Sequence, residues 1–474
     1  MYDWNMEYRV EKDSLGELRV PADVYYGIQT QRALNNFNIS GLRPSEEFIW
    51  ATAVVKLAAA RANMRAGLLD KRIGTAIEQA AAEIVDGKHH DQFVVDVFQA
   101  GAGTSHNMNA NEVIANIAIE RLGGKKGDYS LVNPNDHVNM SQSTNDTIPT
   151  IIRIVTIRLI RELIVELNKL VSSLRKKQRA FDHIVKSGRT HLEDAAPVRL
   201  GQEFGAYADI IEFDIERFRY IEQILGQLNI GATAVGTGVN ADPKYVRYVI
   251  QELRKLTHFN LRNSEHLMAL TQSMSDFLEA SASLRTLASD LTKIANDLRL
   301  MNSGPVTGLG EITLPAVQPG SSIMPGKVNP VIAECLNMIC FQIMGNDLAV
   351  LFASQAGQLE LNVMMPLIAF DLTFSFSIMK NGISMFRQRL VDGIVANEKR
   401  CREMVERSPG IALALNPHIG YMNAAEVVKE SLRTGKTIRE IVVEKGLLSR
   451  EQVDRILDIY ALTEPGIKGR VKNK

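Results

Sequence analysis

The sequence predicts an all-α chain built on long helices that are buried on more than one side. Three observations carry this expectation. Ile157, Ile160, Ile164, Leu167, Val171 and Leu174 are spaced 3, 4, 3, 4, 3, which is the a/d seam of a packed helix. Ile151, Ile154, Val155, Leu159, Leu163 and Leu170 add apolar side chains around the same helix, so more than one face must be covered. Leu284, Leu287, Leu291, Ile294 and Leu298 then repeat the seam in a second long helix. The strand signal, by contrast, is weak: runs such as Phe93-Val94-Val95 stand alone, and no strand–helix rhythm develops. Thirty residues of helix span about 45 Å. That exceeds what a compact domain needs, so the bundle is expected to cross subunits.

Composition narrows the class further. The chain has 474 residues, with 54 Lys plus Arg against 54 Asp plus Glu, a net charge of zero. A general nucleic-acid binder would carry a basic excess. The three cysteines, Cys335, Cys340 and Cys401, form no CxxC pair and no disulfide framework, which suits a reducing cytoplasm. The first twenty residues are charged throughout, so no secretory signal is expected. Between Leu348 and Met379 the only charges are Glu360 and Asp371. The longest clean run there is shorter than the roughly 20 residues of a bilayer span, so no membrane is expected. The two acids would share a face of one buried helix, kinked or broken at Pro366.

Boundaries along the chain are soft. The Asn-rich stretch ending in Ser141-Gln-Ser-Thr-Asn-Asp146 separates an N-terminal region from the first long helix, and buried-helix character ends near Val395-Ala-Asn-Glu398. The expected division is therefore 1–140, 141–396 and 397–474. Ser449-Arg-Glu-Gln452 is a capping-box pattern that opens a helix in the last part.

Four polar segments interrupt this helical background. They are Gly101-Ala-Gly-Thr-Ser-His-Asn-Met-Asn-Ala-Asn111, Ser141-Gln-Ser-Thr-Asn-Asp146, Ser187-Gly-Arg-Thr-His-Leu-Glu-Asp194 and Gly320-Ser-Ser-Ile-Met-Pro-Gly-Lys-Val-Asn-Pro330. All are rich in hydroxyls and amides with few acids. Neutral donors plus one or two cations are what a small dicarboxylate requires. Each segment alone fits a cap or a turn equally well; four in one chain exceed what capping needs. Gly236-Thr-Gly-Val-Asn-Ala241 fits a loose dinucleotide pattern but lacks a preceding strand. His89-His90-Asp91 reads as a solvated helix face rather than a metal site, because adjacent residues on a helix point apart. No metal and no cofactor are expected.

The run GSSIMPGKVNP at 320–330 closely resembles the signature of the aspartase/fumarase superfamily, and the other three segments follow in that family's order. The resemblance implies a three-domain all-α fold whose long central helices join a homotetramer, with each active site built from three chains. It implies a reversible elimination that yields fumarate through an aci-carboxylate. By the same resemblance Ser321 is the base, while Lys327 and Asn329 bind the reacting carboxylate. Ser322 and Met324 line the site. Thr104, Ser143, Thr144 and Asn145 hold the substrate's amino group and carboxylates, and Thr190 and His191 bind substrate from another subunit, His191 sharing in catalysis.

Two branches of the family fit. Gly101-Ala-Gly-Thr-Ser and Ser143-Thr-Asn-Asp146 resemble members that expel ammonia from L-aspartate. Val363-Met-Met-Pro366 and Gly308-Leu-Gly-Glu311 resemble members that exchange water with L-malate. Glu193, where Gln is usual, and Val306, where Arg is usual, match neither. Ammonia elimination from L-aspartate is the expectation, with water elimination from L-malate as the alternative. A non-catalytic structural homologue, the third reading, would be expected to lack the site residues that this chain retains.

Overall fold

The computed structural model describes residues 7–469. Five long helices dominate it: Thr144–Ala180, Leu200–Leu225, Ser275–Met301, Val331–Gln355 and Met365–Arg389. The chain divides into two compact units. The first runs to Ile164 and resumes over 215–288 and 339–380; the second holds 165–214, 289–338 and the chain from Asn381 onward. Each long helix contributes one part to either unit.

The predicted seams are mostly buried, with Ile164 only half-buried. Ile157, Ile160, Leu167, Leu174, Leu284, Leu287, Leu291, Ile294 and Leu298 are all buried, as are Ile151, Ile154, Leu159 and Leu163 around the first helix. Burying faces on several sides leaves few polar positions, and several of those present pair across helices. In the first unit, buried Arg153 donates from Nε to Asp276 Oδ2 at 2.8 Å. Asp347 accepts from Ser281 at 2.8 Å and from Arg285 at 2.7 Å. Asn346 Nδ2 reaches Ser375 Oγ at 2.9 Å. These bonds tie four of the helices in sequence. A separate layer of Glu46–Ala66, Lys71–Val85 and Thr104–Arg121 packs around Ile49, Leu57, Ile77, Ile84, Val113 and Ile117.

In the second unit the same helices are cross-linked by Tyr207 to Asp297 at 2.9 Å and by Asn337 to Asn296 at 2.8 Å. Short C-terminal helices enclose Val405, Leu415, Val427, Ile441, Val453 and Leu457. The capping box expected at Ser449 opens the Arg450–Ile456 helix, with Ser449 and Gln452 each bonding the other's backbone N–H.

Three details depart from the sequence reading. The 348–379 stretch is two helices: one ends at Gln355, and the next begins at Met365 with Pro366 in its first turn, where a missing N–H costs nothing. Glu360 lies in the connection between them, so it shares no helix face with Asp371. His89 and His90 are bonded rather than solvated, to Glu83 and to the Ile84 carbonyl, each at 2.9 Å. Four two-stranded sheets also occur among the described residues. The longest is the hairpin Val185–Thr190 with Glu193–Arg199, in a segment that reads as a polar loop.

Candidate active site

The expected site residues fall into two sets, one in each unit. In the first, Gly101–Gly103 forms a tight 3-10 turn that delivers Thr104 to the first position of its helix. Gly103 has φ of +88°, a left-handed conformation that glycine adopts without penalty. The turn is pinned by the Ala102 N–H bonding Val363 O at 2.8 Å. Thr104 and Ser105 line a cavity of about 490 Å³, whose wall also carries Lys12 and Arg32.

Thr144 likewise begins a helix, Thr144–Ala180. The buried carboxylate of Asp146 holds that start in place. It accepts the Ser143 N–H at 2.9 Å, and its other oxygen accepts the N–H groups of Gly231 at 3.0 Å and Thr233 at 2.9 Å. Burial pushes Asp146 up to about 6, against those backbone donors, which pull it down. Asn145 reaches the same loop, donating to Ala234 O at 2.7 Å. Thr104, Ser143, Thr144 and Asn145 thus stand at two helix N-termini, where N–H groups and the helix dipole favour an anion. The two helices meet where Asn107 Nδ2 donates to Thr144 Oγ1 at 3.3 Å.

In the second unit Thr190 ends one strand of the hairpin and pairs across it with Glu193. His191 and Leu192 form the two-residue turn, with φ of 58° and 65°. This is the twist-matched geometry of a tight hairpin, usually filled by Asn-Gly. The turn carries the exposed His191 ring at its tip. Beneath it a buried ion cluster anchors the hairpin: Glu311 accepts Arg189 Nη1 at 2.8 Å and lies 3.0 Å from Lys186 Nζ, and Lys186 also reaches Glu203 at 2.9 Å.

The 320–330 segment is a closed loop. The Gly320 N–H bonds Lys327 O at 2.8 Å, and Asn329 Nδ2 donates to Gly320 O. A Cβ on Gly320 would lie 2.5 Å from Asn329 N and 2.6 Å from Lys327 O, so only glycine permits the closure. At the tip Ser321 Oγ accepts the N–H groups of Met324 at 2.9 Å and Ile323 at 3.3 Å. Ser322, Met324 and Lys327 are exposed. Two donors aimed at the serine oxygen are the arrangement that stabilises negative charge on it.

Several contributors escaped the sequence reading. Asp146 reads as part of a cap, and the loop 231–234 just before the discounted 236–241 pattern carries no motif. The pattern does not open a helix; the next one begins only at Pro243. Lys56, inside an Ala- and Val-rich helix, gave no signal at all. It is 1 % exposed and donates to Asn107, Asn139 and Gln142.

Long helices buried on several sides, polar segments at helix starts and a closed Ser-, Lys- and Asn-bearing loop fit the fumarate-forming lyases, and similarity to known proteins agrees. The family described as Lyase matches residues 16–345, and the one described as Fumarase C C-terminus matches 411–464. The chain is 53 % identical over 470 residues to aspartate ammonia-lyase of Bacillus subtilis, covering 99 % of both chains. Its fold matches a fumarate lyase:delta crystallin from Brucella melitensis with a TM-score of 0.94, at 45 % identity over 97 % of this chain and all of that one. It also matches a class II fumarase from Schistosoma mansoni with a TM-score of 0.94, at 34 % identity over 96 % and 99 % of the two chains. The chain belongs to the aspartase/fumarase superfamily and is a lyase of that superfamily's reaction type.

Proposed function

We propose that this lyase removes ammonia from L-aspartate to give fumarate. The observation that carries the reading is the pair of helix starts at Thr104 and Thr144–Asn145, which present neutral donors of the aspartase form rather than the fumarase form. The 53 % identity to a named aspartate ammonia-lyase over nearly the whole chain supports it.

Ser321 takes the proton from the carbon beside the distal carboxylate. That carboxylate becomes an aci-carboxylate, and its extra charge is met by Lys327 and Asn329. The C–N bond then breaks and ammonia leaves from the neighbouring carbon with the bonding pair. Ser321 hydroxyl is a very weak acid. The Met324 and Ile323 N–H groups offset this by favouring its ionised form, and closure of the loop excludes water. Thr190 and His191 contribute from another subunit, His191 in contact with the reacting substrate.

A homotetramer goes with this reading. Met338, Phe341, Leu348 and Phe352 are 63, 56, 52 and 57 % exposed on the Val331–Gln355 helix. With Gly345 they are spaced 3, 4, 3, 4, an uncovered a/d seam awaiting helices of other copies. That helix is also long and apolar enough to cross a membrane. Its Asn337, Asn346 and Asp347, however, are bonded to neighbouring helices.

Incubation with L-aspartate tests the reading. Fumarate and ammonium should appear in equal amounts. No ammonium from L-aspartate, with fumarate formed from L-malate, reassigns the leaving group to water.

A further inference from the structure

Beneath the Thr144 segment lies a buried cation that the reaction as written does not use. Lys56 sits mid-helix in Glu46–Ala66 and is 1 % exposed. Its ammonium donates to Asn107 Oδ1 at 2.8 Å, Gln142 Oε1 at 3.0 Å and Asn139 Oδ1 at 3.1 Å. Three N–H donors meet three amide oxygens. A methionine would fill similar space without the cost of burying a charge. The cage therefore calls for a reason beyond packing.

We propose that Lys56 is a positioning residue that fixes the Asn107 amide and thereby turns the Thr144 hydroxyl outward as a donor to the substrate carboxylate. This rests on the reading of Thr144 as a carboxylate-binding residue. An ammonium only donates, so the Asn107 oxygen must face it. The Asn107 nitrogen then faces away, bonding Asn139 Oδ1 at 3.1 Å and Thr144 Oγ1 at 3.3 Å. An amide nitrogen also only donates. Thr144 Oγ1 must accept from it, and the threonine proton is left to point out of the cage. Without the ammonium the amide can rotate, present its oxygen, and take that proton inward. The same cage braces the approach to the segment. Asn139 Nδ2 donates to Gln142 O at 3.2 Å, and Gln142 Nε2 donates to Val138 O at 3.0 Å.

The test is the dissociation constant of fumarate, the product shared by ammonia and water elimination, so the result does not hinge on which group leaves. Lys56→Met and Thr144→Val should each weaken fumarate binding about tenfold, the worth of one hydrogen bond to a charged group. The double variant should be less than about twofold worse than Thr144→Val alone, because both changes remove the same bond. If Lys56→Met does not fold, Asn107→Asp takes its place. It keeps an oxygen on Lys56 and turns a second oxygen toward Thr144. It should cost about tenfold beside threonine and under about twofold in the Thr144→Val background. Full additivity overturns the relay while leaving Thr144 in the site. Unchanged fumarate affinity in Thr144→Val removes Thr144 itself from the site, and the proposal with it. A lower thermal midpoint in Lys56→Met with intact fumarate affinity makes Lys56 structural and overturns it as well.

Discussion

As the proposed base, Ser321 works against its own chemistry, because a serine hydroxyl is a very weak acid. Its two backbone donors are a fixed part of the loop, so the charge is anticipated rather than induced. Ser321→Ala should lower turnover at least about a thousandfold while leaving the assembled protein intact by light scattering. Retained turnover removes Ser321 as the base. A second residue-scale expectation concerns Asp371. Its Oδ2 has no hydrogen-bond partner, and burial pushes the carboxyl up to about 6. The folded chain therefore binds that proton more tightly than the unfolded chain. The stability tied to it is present at low pH and is lost as pH rises through 6. Asp371→Asn should thus be more stable than the parent at pH 8, by ~1–2 kcal/mol, and the gain should shrink toward pH 4. A constant difference in thermal unfolding across that range contradicts this account. At this scale the sequence was most legible in the 320–330 loop, where composition alone is anomalous. Lys56 and Asp146 were illegible because the partners that set their roles lie 51 to 87 residues away and only folding assembles them.

At the scale of elements, function depends on how short connections are closed. The 320–330 loop is shut by contacts at Gly320, and those contacts fix where Ser321 and Asn329 stand. Gly320→Ala must open the loop, since the added carbon meets backbone atoms rather than a flexible side chain. Turnover should fall roughly ten- to a hundredfold, as a displacement of about 1 Å can cause, with little change in thermal midpoint. Unchanged turnover would show that the closure observed is not the working one. The helices and their caps were readable because periodicity and capping are local. The hairpin bearing Thr190 and His191 was not. Its turn is His-Leu where Asn-Gly is usual, and most of its first strand is buried on both faces, so no alternation appears. The ion cluster of Lys186, Arg189 and Glu311 holds it, through contacts more than a hundred residues apart.

For the whole molecule, the seams within the chain and the seam left open have the same spacing. The first kind was legible from periodicity. The exposed stripe through Phe341 looked identical in sequence to a buried one, and only the folded chain reveals that it is uncovered. Phe341→Glu places a charge in that stripe and should break the assembly into smaller species in light scattering. Activity should fall in parallel if, as proposed, each site draws on several chains. An intact assembly with full activity would locate the subunit interface elsewhere. The substrate is the central claim, and one vessel tests it most directly: equal concentrations of L-aspartate and L-malate with the purified protein, following ammonium and malate as fumarate accumulates. Consumption of L-aspartate with stoichiometric ammonium and untouched malate is the predicted result, and loss of malate without ammonium would contradict it.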